Sequence, residues 1–310
     1  MESALIAMRD GLRIYTEYCI TDENMPTMIY LHGGPGQGCW DFQYVAKRIS
    51  NFCNVISFDQ RGVLRSDPVN ESFTSEQLIE DIEGIRIHFG IQKIILCGHS
   101  YGGQLILRYA LKYPQRIERL IYVCPSFSFL DSMRNVYWLC RTYYAEAGNI
   151  AELQMIDEHV ADDREEVYLS GLSKISDSIL EKVYYGNPIP LHVKKDIFSN
   201  SAKKEDWAKG VQHADCIYAE REIFRNYLSH LQQIHSRSLL IVGDHDPICC
   251  EIQQTCFLKQ AQNERIIMHD AGHSLYVENA DAFVAIIEDY LKDYSREIVP
   301  HNVIKEVGFS

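Results

Sequence analysis

The stretch LCGHSYGG, residues Leu96–Gly103, places a serine at the end of an apolar run, between two glycines that each lie two residues away from it. This pattern predicts a buried strand that turns sharply into a helix, a turn that strains its central residue and crowds that residue's neighbours. Gly98 and Gly102 relieve the crowding. We therefore predict that Ser100 is a nucleophile at the carboxyl end of a strand, the alternative being an ordinary turn serine.

Further apolar runs of strand length alternate with helical patterns along the chain. Two of them, Ile6–Met8 and Leu12–Tyr18, flank Asp10-Gly11 and predict an opening hairpin. The runs that follow are TMIYL, NVISF, KIILC, RIERLIYV, SLLIV and RIIM, with helices predicted over Thr74–Phe89 (a capping box at Thr74 and Gln77), Tyr101–Tyr113 and Asn279–Tyr294. Continuously apolar strands separated by helices indicate an α/β fold with a mostly parallel sheet covered on both faces.

The interval over residues 128–236 has a different character. It is rich in charge and tyrosine, shows helical periodicity such as Ile217–Leu231, and contains no convincing buried strand. A structureless loop of that length inside a compact domain is improbable. We predict a helical cap over residues 128–236, inserted into a core domain formed by residues 1–127 and 237–310.

Charge and cysteine usage argue against several classes of protein. A formal net charge of −13 over 310 residues disfavours a nucleic-acid partner, and no apolar run approaches the length of a membrane span. The start MESALIAMRDG lacks the basic and apolar regions of an export signal, so we expect a cytoplasmic protein whose ten cysteines are reduced. Adjacent Cys249 and Cys250 have no second pair at zinc-finger spacing, so we expect buried thiols there and no metal site.

A serine nucleophile needs a base, and the base needs an acid to orient it. Two late strands are each followed by a candidate, Asp246 in VGDHDP and His273 in DAGHS, in the chain order typical of a strand–serine–helix nucleophile. Asp244 competes for the acid role. A residue still held at the strand end points less freely toward the histidine, so we favour Asp246.

The tetrahedral intermediate also needs two hydrogen-bond donors for its oxyanion. One predicted donor is the backbone N–H of Tyr101, the residue after the nucleophile. The other is assigned to Gly34 in HGGPG, residues His32–Gly36, where glycines let the backbone approach a substrate closely. A phosphate-binding loop is the alternative, but the segment lacks a P-loop lysine pattern.

These motifs together resemble the α/β-hydrolase superfamily, and in particular its proline iminopeptidase-like branch. The resemblance is carried by HGGPG, FDQRG, DIEGIRIHFGIQKIILCGHSYGG, GDHDP and AGHS, and covers roughly residues 5–127 and 238–294. It implies a serine hydrolase that cleaves an N-terminal residue from a short peptide, or a related small amide or ester, with no metal or cofactor.

The chain departs from that branch at three positions. Leu64 stands where a second glycine usually follows DQRG, Tyr101 stands where prolyl aminopeptidases commonly have tryptophan, and His99 replaces a small residue. Members of the branch hold the substrate's amino group with cap glutamates. The resemblance therefore implies an amine-binding role for carboxylates of the cap, with Glu146, Glu220 and Glu222 as candidates; the core loops offer only Asp41 and Asp59.

Two other functions stay open from the sequence alone. A carboxylesterase or lactonase acting on small acyl substrates would use the same Ser100, Asp246 and His273. A catalytically silent hydrolase fold could serve as a receptor or interaction protein, although an intact set of these residues argues against it. Epoxide hydrolases and dehalogenases are disfavoured because their chemistry needs an aspartate in place of Ser100.

Overall fold

One twisted sheet carries the fold in the computed structural model, which describes residues 1–69, 71–186, 203–292 and, as backbone only, 304–307. Its nine strands have the spatial order β1-β2-β4-β3-β5-β6-β7-β8-β9. They are β1 (Glu2–Ala7), β2 (Arg13–Cys19), β3 (Thr27–Leu31), β4 (Asn54–Phe58), β5 (Ile94–His99), β6 (Ile117–Val123), β7 (Ser238–Gly243), β8 (Asn263–Met268) and β9 (Ile304–Val307).

The strand pairings agree with the predicted mostly parallel sheet. β1 and β2 form the predicted hairpin, with Ala7 opposite Arg13, and β2 pairs antiparallel with β4. Every other pairing is parallel. β3, β4 and β5 are buried along their whole length, as strands covered on both faces must be. The predicted α/β fold with a mostly parallel sheet is thus confirmed, while β9 was not predicted.

Helices cover both faces of the sheet and fill the interval between β6 and β7. They are α1 (Gln43–Ile49), α2 (Ser75–His88), α3 (Tyr101–Lys112), α4 (Phe129–Glu146), α5 (Ile150–Asp162), α6 (Glu165–Leu172), α7 (Asp177–Tyr184), α8 (Lys204–Glu220), α9 (Glu251–Phe257), α10 (Leu275–Glu278) and α11 (Ala280–Lys292). The predicted cap of α2 is present, since the Thr74 N–H donates to Gln77 Oε1 at 3.0 Å. The last two residues of the helix predicted to end at Tyr294 lie outside the described part of the chain.

Between β6 and β7 the described residues form only helices α4–α8 and short 3-10 turns; residues 187–202 lie outside the description. Helices α4–α7 share a separate apolar cluster, which includes Val136, Tyr137 and Ile156. Ile217 of α8 instead belongs to a core cluster of the sheet. The continuous helical periodicity predicted over Ile217–Leu231 is wrong. α8 ends at Glu220 because Arg221 adopts a left-handed conformation (φ 70°), and 3-10 turns follow. The division into core and cap at residues 128 and 236 stays a prediction.

α8 packs against loops of the core through polar and aromatic contacts. His213 Nδ1 donates to the carbonyl of Arg61 at 2.8 Å, and Lys209 Nζ donates to the carbonyl of Ser66 at 3.0 Å. The rings of Trp207 and Trp40 meet edge to face, with centroids 5.9 Å apart. This end of α8 is therefore fixed to the loops that follow β3 and β4.

The position where the iminopeptidase-like branch has a second glycine is strained in this chain. Leu64 is fully buried and has φ 39°, in the left-handed region that glycine adopts without cost. Its Cδ1 lies 2.5 Å from where a β-carbon on Gly38 would be, so the leucine fills space beside the loop after β3. Side-chain packing thus offsets the backbone strain.

The structure bears on two expectations from the sequence, that the cysteines are reduced and that no segment spans a membrane. All ten cysteines are free thiols; Cys249 is buried and Cys250 half-buried. Among the described residues, no helix combines the length and apolar character needed to cross a membrane. A cytoplasmic location and the lack of a nucleic-acid partner stay predictions.

The buried His213 predicts a pH-dependent stability. Burial lowers its pKa to about 3, whereas an unfolded histidine titrates near 6.5. Because the folded pKa is the lower one, the unfolded state binds a proton at His213 before the folded state does. The folded state is therefore not penalised above pH 6.5, and it loses stability relative to the unfolded state as the pH falls from 6.5 toward 3. We expect the free energy of unfolding of the wild type to fall by about 1.4 kcal/mol per pH unit more steeply than that of His213→Gln in that interval. Urea unfolding at several pH values measures both slopes, and equal slopes would contradict the prediction.

Candidate active site

Ser100 lies in a strained turn between β5 and α3. Its backbone has φ 54° and ψ −119°, and its side chain is half-buried. A β-carbon on Gly98 would lie 2.5 Å from the carbonyl oxygen of Gly102, and one on Gly102 would lie 2.5 Å from the carbonyl oxygen of Leu31. Only glycine fits at these two positions, as the sequence pattern predicted. The turn therefore holds the serine at the carboxyl end of the sheet, beside the loop after β3.

The loops after β7 and β8 bring Asp246 and His273 into contact. His273 Nδ1 lies 2.7 Å from Asp246 Oδ1, and the aspartate side chain is fully buried. Asp246 also accepts the backbone N–H groups of Ile248 (3.2 Å) and Cys249 (2.8 Å). These bonds hold the carboxylate in place and fix Nδ1 as the protonated nitrogen, which leaves Nε2 with a free lone pair.

Asp244, the competing acid, has other partners. Its Oδ2 lies 3.1 Å from His269 Nδ1, and its Oδ1 accepts the N–H of Ala271 at 3.3 Å. It is the first residue after β7 and bonds to the loop that follows β8, without reaching His273. Asp270, in the same loop, occupies a turn with φ 53°.

A hydrogen-bonded network lies beneath His273. His99 Nε2 lies 2.9 Å from the carbonyl oxygen of His273, so this nitrogen carries a proton and donates. His99 Nδ1 lies 3.3 Å from the hydroxyl of Tyr276, which donates to Asp41 Oδ2 at 2.8 Å. Burial, together with the neighbouring His273, lowers the pKa of His99 well below its usual value, so this imidazole is neutral.

Asp41 is an unusual carboxylate in this network. Burial raises its pKa to about 6, against the opposing effect of the Tyr276 hydrogen bond. Its Oδ1 is buried and has no hydrogen-bond partner. Asp41 also lines the cavity above Ser100, so a cationic group of a ligand would stabilise its charged form.

The HGGPG loop packs directly against Ser100. A β-carbon on Gly33 would lie 2.9 Å from Ser100 Cβ, and Gly34 lines the same cavity as Ser100 and Tyr101. His32 fixes this loop: its Nε2 accepts the Gln60 N–H at 3.1 Å. Burial lowers the pKa of His32 to about 4, so the ring is neutral. The oxyanion-hole roles of Gly34 and Tyr101 stay a prediction, with both residues at the cavity wall.

A cavity of about 650 Å³ opens above Ser100 and His273. One side is formed by the HGGPG loop and Asp41, and the other by helices between β6 and β7. The helical side includes the apolar residues Phe129, Met133, Leu169, Leu172, Leu180 and Ile223, together with Tyr184 and Tyr218. Asp177 and Glu181 also line it, and no described lining residue is a lysine or arginine. The cavity therefore combines apolar walls with acidic groups.

The cap glutamates proposed from the sequence for amine binding, and Asp59 of the core, are not among the described residues that line this cavity, whereas Asp41 is. Glu146 is exposed at the end of α4. Glu220 accepts the N–H of Ser75 at 2.6 Å, at the start of α2. Glu222 accepts from the hydroxyl of Tyr227 and from Arg225. Asp59 is fully buried and paired with Arg65. Glu220, Glu222 and Asp59 thus bind groups outside the cavity. The assignment of Glu146, Glu220 and Glu222 to amine binding is corrected.

Of the acidic residues that line the cavity, Asp41 was named from the sequence, whereas Asp177 and Glu181 lie on α7 and were missed. Asp177, Leu180, Glu181 and Tyr184 are spaced i, i+3, i+4 and i+7, so they share one helix face. That spacing is visible in the sequence. It does not reveal whether the face meets solvent or a cavity, and a charged helix face is more often solvated.

Cys124 lies beside Asp246 and His273. Among the described residues, these three form the one cluster of side chains whose atoms could together bind a metal ion. The Sγ of Cys124, an oxygen of Asp246 and a ring nitrogen of His273 all lie within 4.8 Å of one another. Burial raises the pKa of Cys124 well above its usual value, so the thiol is protonated. The carboxylate and imidazole are already bonded to each other, and we assign no metal to this cluster.

Comparisons with known proteins identify the family of the chain. The model of the alpha/beta hydrolase fold family matches residues 26–280. The proline iminopeptidase PfmaB of Pestalotiopsis fici is 29% identical over 87% of this chain and 93% of its own. The proline iminopeptidase of Saccharolobus solfataricus is 25% identical over 93% and 92%.

Among solved structures, the proline iminopeptidase-related protein of Thermus thermophilus superposes with a TM-score of 0.71 at 19% identity, over 94% of this chain and 98% of its own. The enol-lactonase of Burkholderia xenovorans superposes with a TM-score of 0.64 at 20% identity, over 94% and 100%. At these identities the two structures support the fold. By its matching family model the chain belongs to the alpha/beta hydrolase fold family, and within that family it is similar to the proline iminopeptidase branch.

Proposed function

We propose that the protein is a serine hydrolase that removes an N-terminal aminoacyl group from a small amide or short peptide. Ser100 Oγ attacks the substrate carbonyl and gives its proton to His273 Nε2, while Asp246 stabilises the imidazolium. Backbone N–H groups of Gly34 and Tyr101 receive the oxyanion. The proton passes from His273 to the leaving amine, and water then hydrolyses the acyl-enzyme by the same route.

The observation that carries the choice of substrate is the charge of the cavity. Asp41, Asp177 and Glu181 line it, and its described lining contains no lysine or arginine to repel a cation. A substrate with a free α-amino group presents an ammonium ion near the scissile carbonyl, and leaving that ion desolvated without a carboxylate is costly. A substrate with a carboxylate in place of that ammonium ion would meet like charge. The similarity to proline iminopeptidases supports the same choice.

A second candidate is an esterase or lactonase for neutral acyl groups. The observation that favours it is the apolar wall contributed by Phe129, Met133 and Leu172, which suits an uncharged acyl chain. The two candidates share the same chemistry at Ser100 and differ in what binds beside it. Their relative rates on amine and neutral substrates distinguish them.

The first prediction from this proposal concerns the nucleophile. Ser100→Ala should abolish turnover and covalent labelling by a fluorophosphonate, because the attacking oxygen is removed while the fold is kept. Ser126→Ala is the matched control: Ser126 lines the same cavity and should leave labelling in place. Mass spectrometry of the labelled protein identifies the modified residue, and undiminished labelling of the Ser100 variant would place the nucleophile elsewhere.

The second prediction concerns the acid. Asp246→Asn should lower kcat by about 10⁴-fold, since the asparagine favours the wrong tautomer of His273. Asp244→Asn is the matched control two residues away and should cost far less, because its contacts are with His269 and Ala271. Steady-state kinetics on one substrate compare the variants, and the opposite ranking would refute the assignment.

The third prediction concerns the amine. The double variant Asp177→Asn, Glu181→Gln should raise KM about 3- to 10-fold for free-amine aminoacyl substrates, because two exposed carboxylates each contribute a modest charge interaction. Little change is expected for N-acetylated forms and neutral esters. The contact exists in both ground and transition states, so kcat should change little.

Its control exchanges carboxylates that lie outside the cavity. Glu146→Gln, Glu222→Gln changes the net charge by the same amount and should leave the preference for free amines unchanged. A wild type that cleaves acetylated compounds or simple esters faster than free amines would favour the esterase candidate, with the roles of Ser100, Asp246 and His273 untouched.

A further inference from the structure

The carboxylate of Glu278 accepts three backbone N–H groups from two separate parts of the chain. Its Oε1 accepts from Ser274 at 2.9 Å, and its Oε2 accepts from Gly272 at 2.8 Å. The third donor is Gly186, at 2.9 Å from Oε2, two residues beyond the end of α7. One half-buried side chain thus binds both neighbours of His273 and the end of a helix that lines the cavity.

The backbone of His273 itself is held on two further sides. Its N–H donates to the carbonyl of Tyr184, the last residue of α7, at 2.7 Å, and its own carbonyl accepts from His99 Nε2 at 2.9 Å. The segments also touch closely. A β-carbon on Gly272 would collide with the carbonyl oxygen of Tyr184 and lie 2.6 Å from the nitrogen of Gly186. The loop that carries the imidazole therefore rests directly on the end of α7.

We infer that Glu278 is a positioning residue: by binding the His273 loop to the end of α7, it sets the place of the imidazole relative to Ser100. The inference rests on the proposed function, because it takes His273 as the base. Hydrogen bonds to a carboxylate are about twice as strong as neutral ones, so these three bonds contribute substantially to holding the loop against α7. A displacement of about 1 Å at a catalytic group costs about 100-fold in rate.

The test is Glu278→Gln in the full chain. Glutamine keeps the shape of the side chain, but one oxygen becomes an amide nitrogen that faces backbone N–H donors, so at least one of the three bonds is lost. We expect the rate of Ser100 labelling by a fluorophosphonate, and kcat on the best amide or ester substrate, to fall about 10- to 100-fold. KM should change less than about 3-fold, because Glu278 does not line the cavity.

The matched control is Glu288→Gln, on α11, where the glutamate pairs only locally, with Lys292 four residues on. It should be labelled at the wild-type rate. Glu278→Asp keeps the charge but withdraws the carboxylate by one methylene; it should be labelled more slowly than the wild type, and it replaces the glutamine variant if that variant does not fold. Thermal unfolding followed by circular dichroism ensures that each rate is measured well below the unfolding midpoint.

One outcome would overturn the positioning role of Glu278, and a different outcome would overturn the proposed function on which it rests. If a folded Glu278 variant is labelled at the wild-type rate and only its unfolding midpoint falls, Glu278 has a structural role and the inference is wrong. If the wild type itself is not labelled at Ser100, the proposed function fails first. A slower labelling rate with an almost unchanged KM supports the positioning role.

Discussion

The geometry of this protein depends on one crowded turn. Ser100 has a left-handed backbone, and the β-carbons missing from Gly98 and Gly102 would fall 2.5 Å from carbonyl oxygens. Because the second of those oxygens belongs to Leu31, the end of β3 must lie against the start of α3. The loop that follows β3 runs past the serine, and its HGGPG segment lies at the cavity wall. A local steric constraint thus brings this loop to Ser100.

The parts of the structure that sequence predicted are those set by short-range patterns. Continuously apolar strands imply burial on both faces, and chain order then puts the loops after β7 and β8 at the same edge of the sheet as Ser100. Asp246 could be preferred over Asp244 on similar grounds, since a residue held at a strand end has little freedom. In the structure Asp244 bonds across to the loop after β8, at Ala271, while Asp246 reaches His273.

The sequence could not predict contacts between residues that lie far apart in the chain. Glu220 resembled an amine-binding group, but its carboxylate caps the N–H of Ser75, 145 residues away, at the start of α2. The cavity-facing carboxylates Asp177 and Glu181 lie on a helix face whose neighbour only the tertiary packing defines. β9 escaped notice as well, since a four-residue edge strand carries too few residues for a period to be recognised.

Burial assigns different roles to histidines that lie close together. His99 and His273 have ring centroids 4.6 Å apart, and a positive charge on both would be strongly unfavourable. Burial and the neighbouring ring keep His99 neutral by lowering its pKa, so its Nε2–H can serve only as a donor to the carbonyl of His273. His273 has a carboxylate at Nδ1 and a cavity beside it. The single cation that the proposed reaction creates is therefore accommodated at His273, next to Asp246, while His99 supports it without competing for the proton.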